Sequence, residues 1–227
     1  MLSPACNLMI SQLKIDKYER LLDSFQLVGL EPGQLIFRPY EAIQFVYFPV
    51  TAIIAMEIDI SDGTSAEIVM IGKEGMVGSG VMGGNQNFSR ARVKFAGLAY
   101  KLPLTVFQSE LSQDRSFLKI WMAVTRQMIL QIAMPTVCSS RHSNEQQVIR
   151  WLMNTLDKTQ GEVLQVTHQE IADSLGIRRE SVTLTAGKLS QEGLLEISRG
   201  QLRVLNRPEL EARACECYRV MNPALKH

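Results

Sequence analysis

Arg178 and Arg179 stand side by side in "GIRRESVTLTAGKL" and are followed at once by Glu180. Guanidinium groups at the mouth of a helix have two chemical uses. Each can pair with a phosphate, and each can hold the two acceptors on a guanine edge bidentately, while a carboxylate such as Glu180 accepts from a cytosine amine. The neighbouring residues have the spacing needed to present such groups. Thr167 and Glu170 in "VTHQEIADSLGI" have the T-x-x-E spacing of a capping box, and Gly176 suits the left-handed turn that closes one short helix before the next opens. With Val182, Ala186 and Leu189 turned inward at i, i+4 and i+7, the second helix shows Arg179, Glu180, Thr183, Leu184, Gly187 and Lys188 outward. The amides at the start of the helix capped by Thr167, together with Arg178, Lys188, Arg199 and Arg203, are the groups expected to meet phosphates.

The elements that must position these residues are legible on both sides. After Gly193, "LLEISRGQLRVL" alternates Leu195 and Ile197 with polar residues, turns at "SRG" and returns through Leu202 and Val204, which is a small hairpin. Upstream, "NEQQVIRWLMNTL" aligns Val148, Leu152 and Thr155 on one helical face, with Trp151 beside them. Helix, turn, helix and hairpin make a winged helix-turn-helix. From about Gly33 to Leu104 the segments "QLIFRPY", "FVYFPVTAIIAMEID", "TSAEIVMIG" and "ARVKFAGLAYKLPL" are rich in Val, Ile, Phe and Tyr, and "SDGT" carries the Asp-Gly pair of a tight hairpin. These short strands imply an antiparallel roll or barrel. Beyond Pro103, Phe117, Trp121, Val124, Met128 and Ile132 recur at helical spacing. A solitary long helix has few neighbours to cover such a stripe, so self-association is the preferred expectation and intramolecular core the alternative. Pro135 is expected to end or kink that helix, leaving a hinge near residues 135–144. The fold class expected is α+β, with a β-roll sensor domain over 1–110, a dimerisation helix and hinge over 111–144, and a winged helix-turn-helix over 145–227.

Bulk properties narrow the class without deciding it. At 227 residues and 46% hydrophobic content the chain can bury a substantial core. The 24 Lys+Arg against 23 Asp+Glu neither demand nor exclude a polyanionic partner, and residues 146–207 hold 8 basic against 7 acidic side chains. No run approaches the roughly 18 apolar residues of a membrane span, and "MLSPACNLMI" lacks a basic n-region with a sustained apolar stretch, so a cytoplasmic protein with no membrane partner is expected. All three histidines, His142, His168 and His227, lie outside the strand-rich region, which removes a cupin-type metal enzyme. No G-x-S-x-G, phosphate loop or H-E-x-x-H occurs, so no enzyme is expected. Cys6, Cys138, Cys215 and Cys217 suit a reducing compartment. Cys215 and Cys217 have the spacing of a thiol switch or metal pair, but lacking third and fourth ligands they read as packed side chains, and no metal and no cofactor are expected.

The segment "THQEIADSLGIRRESVTLTAGKLSQEGLL" resembles the recognition region of Crp/Fnr-type bacterial transcription regulators. "VYFPVTAIIAMEIDISDGTSAEIVMIGKEGMVG", "SRHSNEQQVIRWLM", "SRGQLRVLNRPELE" and "ACECY" are similar to one branch of that family, so the resemblance covers most of residues 20–220. It implies a cyclic-nucleotide-binding-like roll, a dimer helix and a DNA-reading winged helix. Double-stranded DNA and a second copy of the chain are then the expected partners, with an unidentified small-molecule effector and RNA polymerase beside them. Members that bind cyclic AMP carry Gly-Glu followed by Arg-Ser or Arg-Thr; here Ser79 follows Gly78 and Ser89-Arg90 inverts the order. Without the carboxylate for the ribose, these four positions are a weakened effector site and cyclic AMP is not expected. The arginine usual five positions after Arg179 is replaced by Leu184. The lone N-terminal Cys6 cannot hold an iron–sulfur cluster. The alternatives are a cyclic-nucleotide-responsive or thiol-responsive regulator of the same fold and, from another class, a nucleotide- or protein-binding signalling module without DNA binding.

Overall fold

The computed structural model describes residues 3–61, 63, 65–78, 87–159 and 161–222. They form two compact units, Met1–Ile129 and Leu130–His227, with the boundary inside one helix.

The first unit is a strand-rich roll. After α1 (Ile15–Leu22) come β1 (Gln26–Leu30), β2 (Leu35–Phe37), β3 (Phe45–Pro49), β4 (Ile53–Asp59), β5 (Ser65–Ile71), β6 (Arg90–Phe95) and β7 (Gly97–Pro103). They pair antiparallel in two sheets, ordered β1-β7-β3 and β2-β6-β4-β5. The β-branched run at the start of β4 leaves Ile53, Ile54 and Ala55 fully buried, as a strand covered on both faces requires. β4 and β5 close as a hairpin pairing Asp59 with Ser65, and Gly63 adopts φ +86 in its turn. Asp62, the other half of the expected Asp-Gly turn, lies outside the described residues. Gly97 is required by packing, since a Cβ there would lie 2.4 Å from the Ala52 amide nitrogen.

Two helices follow, α2 (Leu104–Gln113) and α3 (Arg115–Arg141). Phe48, Phe107 and Phe117 build one aromatic column, with ring centroids 6.3 and 5.4 Å apart, and Val124 is buried in the same cluster. Trp121 packs against that cluster and Met128 against the other half of the roll's core. Of the stripe expected to dimerise, Phe117 and Val124 are thus buried in the core of their own chain, while Trp121 and Met128 are half-buried against it. The physical reason is that the start of α3 is not solitary: α2 and the roll supply the apolar neighbours. Ile132 stays 39% exposed, alongside Met122 at 57% and Ile129 at 58%, a second apolar stripe on α3.

Pro135 sits inside α3 without ending it. A proline removes one N–H from the ladder, here the donor to the Gln131 carbonyl, and the bonds on either side carry the helix on. The break comes at His142 and Ser143, where Ser143 accepts from the Gln146 amide and Gln146 Oε1 accepts from the Ser143 amide, a capping box that starts α4 (Asn144–Lys158).

The second unit continues with β8 (Val163–Gln165), α5 (His168–Leu175), α6 (Arg179–Gln191), β9 (Leu195–Ser198), β10 (Gln201–Val204), α7 (Arg207–Arg213) and α8 (Glu216–Met221). The expected hairpin is β9–β10, pairing Ser198 with Gln201 around Arg199 and Gly200, and Gly200 takes φ +71. β8 adds a third strand on the other edge of β10. Its three residues, "VLQ", are too short to declare themselves by alternation. α4 is the hub: Val148, Ile149, Trp151, Leu152, Met153 and Leu156 are all buried.

Candidate nucleic-acid interface

The reading helix is positioned by local chemistry. Thr167 caps α5: its Oγ1 accepts from the Glu170 amide at 3.2 Å, and Glu170 Oε2 accepts from the Thr167 amide at 2.7 Å. Gly176 ends α5 in the left-handed conformation, φ 64 and ψ 32, where a side chain would be strained. Arg178 is then the N-cap of α6 with no side-chain cap bond, so of the first-turn amides Ser181 donates to the Arg178 carbonyl and no side chain of the cap occupies the others. Val182, Thr185, Ala186 and Leu189 are the buried face. Thr185 is the one addition to the expected inward set.

Arg178, Arg179, Glu180, Thr183 and Lys188 are exposed, and Leu184, at 75%, is the most exposed large hydrophobic side chain among the described residues. The outward side chains are not equally available. Thr183 donates to the Arg179 carbonyl at 3.1 Å, and its oxygen lies at hydrogen-bonding distance, 3.1 Å, from His168 Nδ1. Burial, helped by the nearby Arg179 charge, holds the His168 pKa below its ordinary value. Lys188 reaches back to Glu145 at 2.6 Å, and Arg203 pairs with Glu196 at 3.4 Å across the wing. Among the described residues, Arg178, Arg179 and Arg199 have no ion-pair partner. Thr167, His168, Gln169 and Arg179 face Ile197, Ser198, Gly200 and Gln201 of the wing across a cleft of about 240 Å³. Gln169, Ser198 and Gln201 were not among the expected site residues, because a polar side chain in a loop or first turn has no periodicity to mark it.

Residues 146–213 match the Crp-like helix-turn-helix domain family. The solved structures with the same fold include FixK2 from Bradyrhizobium japonicum, 16% identical over 84% of this chain and 98% of that one, with a TM-score of 0.71. Another is a transcriptional regulator of the CRP family from Thermus thermophilus, 17% identical over 82% and 96% of the two chains, with a TM-score of 0.67. A third is the c-di-GMP responsive global regulator CLP of Xanthomonas campestris, 18% identical over 85% and 100%, with a TM-score of 0.65. Residues 146–213 are thus a Crp-like helix-turn-helix domain, and the chain shares the fold of these regulators. No curated protein sequence matches it. Among the described residues, no helix is long and apolar enough to cross a membrane.

In the roll, the two arginines of β6 are already paired with carboxylates. Gly78 takes φ +98, and a Cβ there would lie 2.8 Å from the Phe45 carbonyl oxygen, so its role is backbone geometry. Ser89 is buried and donates to Asn87 Oδ1 at 3.0 Å. Arg90, paired in register with Glu57, bonds Glu57 at 2.7 Å, Asp59 at 3.0 Å and Ser65 at 2.6 Å, while Arg92 shares the same Glu57 oxygen at 3.3 Å. The Arg90 guanidinium is thus neutralised by two carboxylates of its own sheet. Ser79 lies outside the described residues.

Proposed function

We infer that the protein is a sequence-specific transcription regulator that binds double-stranded DNA as a homodimer on a two-fold operator and has no catalytic activity. The observation that carries this reading is the division of α6: Val182, Thr185, Ala186 and Leu189 are buried, so Arg179, Glu180 and Leu184 project together beside the unpaired Arg178. A helix so presented fits a major groove. Arg179 would hold a guanine edge, Glu180 a cytosine amine, and Leu184 a thymine methyl. The α5 amides near Thr167, with Arg178 and Arg199, would hold phosphates; Lys188 and Arg203 would join them by exchanging Glu145 and Glu196 for a phosphate oxygen. The dimer face would be the exposed stripe of α3, with Met122, Ile129 and Ile132 meeting their counterparts.

The signal received by the roll would be a small molecule other than cyclic AMP, because the Arg90 guanidinium is already neutralised by Glu57 and Asp59. RNA polymerase would be the further partner at the promoter. Selection of bound sequences from a random duplex pool, with sedimentation of the free protein, tests the reading. The expected result is a dimer and a palindromic site whose half-sites lie about one helical turn, roughly 34 Å, apart. Selection that enriches no sequence overturns it.

A further inference from the structure

Four side chains that the DNA reading does not use converge at the base of the second unit. Cys138 in the last turn of α3, His142 in the break before α4, and Cys215 and Cys217 at the start of α8 bring their ligand atoms within 4.8 Å of one another. The three cysteines are at most 3% exposed. Cys138 Sγ and Cys215 Sγ are 3.7 Å apart, and Cys217 Sγ is 3.6 Å from His142 Nδ1. Around a tetrahedral zinc, two sulfurs at about 2.3 Å stand about 3.8 Å apart, and a sulfur and an imidazole nitrogen stand about 3.5 Å apart. The two measured edges match that tetrahedron, and the wider ones need to close by about 1 Å. An iron–sulfur cluster needs a much larger cage.

Two further contacts separate this arrangement from ordinary buried cysteines. His142 turns its Nδ1 to the sulfurs and its Nε2 to Glu216 Oε2 at 3.2 Å. That is the carboxylate–histidine arrangement that fixes the tautomer of a metal-bound imidazole and raises its basicity. Arg150, only 4% exposed, donates from Nε to Cys138 Sγ at 3.2 Å, its remaining polar contact being Met221 sulfur. Among the described residues no carboxylate pairs with it. A buried guanidinium needs an anion. Zn²⁺ with three thiolates and a neutral imidazole carries one net negative charge, which Arg150 balances.

We propose that Cys138, His142, Cys215 and Cys217 form a Cys₃His structural zinc site that staples α8 to the α3–α4 joint. Zinc fits the donor set because soft thiolates with one imidazole favour it over Mg²⁺, Ca²⁺ or Mn²⁺, and four protein ligands leave no open position for catalysis.

The test uses the full chain, purified under reducing conditions without chelator. Elemental analysis should find one zinc per chain, and a thiol reagent should modify Cys6 alone until a chelator removes the metal. Cobalt exchanged into the wild-type protein should give a thiolate-to-metal charge-transfer band and the visible bands of tetrahedral Co²⁺. Cys217→Ser should lose stoichiometric zinc. Because that variant could fail to fold, Glu216→Gln is the companion: Glu216 is solvent-exposed, so the fold should persist while zinc affinity falls about 10–100-fold. The proposal is overturned if wild-type protein holds no zinc and gives no tetrahedral cobalt spectrum. It is equally overturned if zinc is retained undiminished in Cys217→Ser, which would put the metal elsewhere. Rapid formation of a Cys138–Cys215 disulfide in air by metal-free protein that also refuses zinc would replace the staple with a thiol switch.

Discussion

Replacing Arg179 by alanine isolates the base-reading part of the interface, because this residue makes no ion pair within its own chain and is exposed at the first position of α6. Its removal leaves no buried charge and opens no cavity, so the thermal stability of the free protein should change by less than about 0.5 kcal/mol. Losing one bidentate guanine pairing costs about 1–3 kcal/mol, which is about 5- to 150-fold in affinity per half-site. A dimer forfeits that pairing twice. If the two half-sites are independent, the full operator should lose about 2–6 kcal/mol, whereas a duplex already lacking that guanine should lose little. Fluorescence anisotropy at one fixed salt concentration, on the selected operator and on versions with each guanine replaced, measures both effects. Uniform weakening on every duplex, with no change in base preference, would refute the reasoning, since it would assign Arg179 to a phosphate and not to a base edge.

Three other outcomes follow from the same geometry. Arg178→Ala and Arg199→Ala should each weaken all duplexes similarly and reduce the salt slope by about 1 for each phosphate no longer held, whereas Lys188→Ala, whose ammonium is held by Glu145, should have the smaller effect on salt-dependent titrations. Ile129→Glu, on the exposed stripe of α3, should yield a folded monomer in sedimentation, whereas Phe117→Ala should destabilise the roll by about 3–5 kcal/mol in denaturant titrations; a stable dimer of Ile129→Glu would move the interface elsewhere. Calorimetry with cyclic AMP should give no saturable heat at micromolar concentration, and saturable binding that tightens operator affinity would show that Arg90 leaves its carboxylates.

The DNA-reading end was legible because each of its devices is local. A capping box, a glycine in the left-handed region and an i, i+4, i+7 apolar set all act within a few residues, and Thr167, Gly176 and Val182–Leu189 fold as their spacing dictates. What the sequence hid depends on distant neighbours. The Phe117–Met128 stripe could not announce which surface covers it, since periodicity states that a face is apolar and not whose core it joins. Pro135 does not mark the end of the helix, because the absence of one backbone bond is tolerated when the bonds on either side keep the helix whole. Arg90 looked available for an anion until the register of β4 against β6 put Glu57 opposite it. Cys215 and Cys217 lacked partners in sequence, and Cys138 and His142, some 75 residues away, become neighbours only once α8 folds back on α4.

The same pairings explain how a chain of net charge +1 presents a surface suited to a polyanion. In the second unit many cations are neutralised where they stand: Arg207 by Asp157 and Glu211, Arg213 by Glu192 and Glu209, Lys188 by Glu145, and Arg203 by Glu196. Arg150 is turned inward to sulfur. Six acidic residues of the unit, Glu145, Asp157, Glu192, Glu196, Glu209 and Glu211, are thus engaged by cations of their own chain. Among the described residues, Arg178 and Arg179 at the mouth of α6 and Arg199 in the wing turn stay unneutralised, and Arg179 lines the cleft. A phosphate responds to local potential within about 8–10 Å, the screening length at physiological salt, so unpaired guanidinium groups at the helix mouth count for more than the total charge of the chain. Binding would then depend on few charges and on the fit of Arg179, Glu180 and Leu184 to base edges, which favours discrimination between sequences over indiscriminate attraction to DNA.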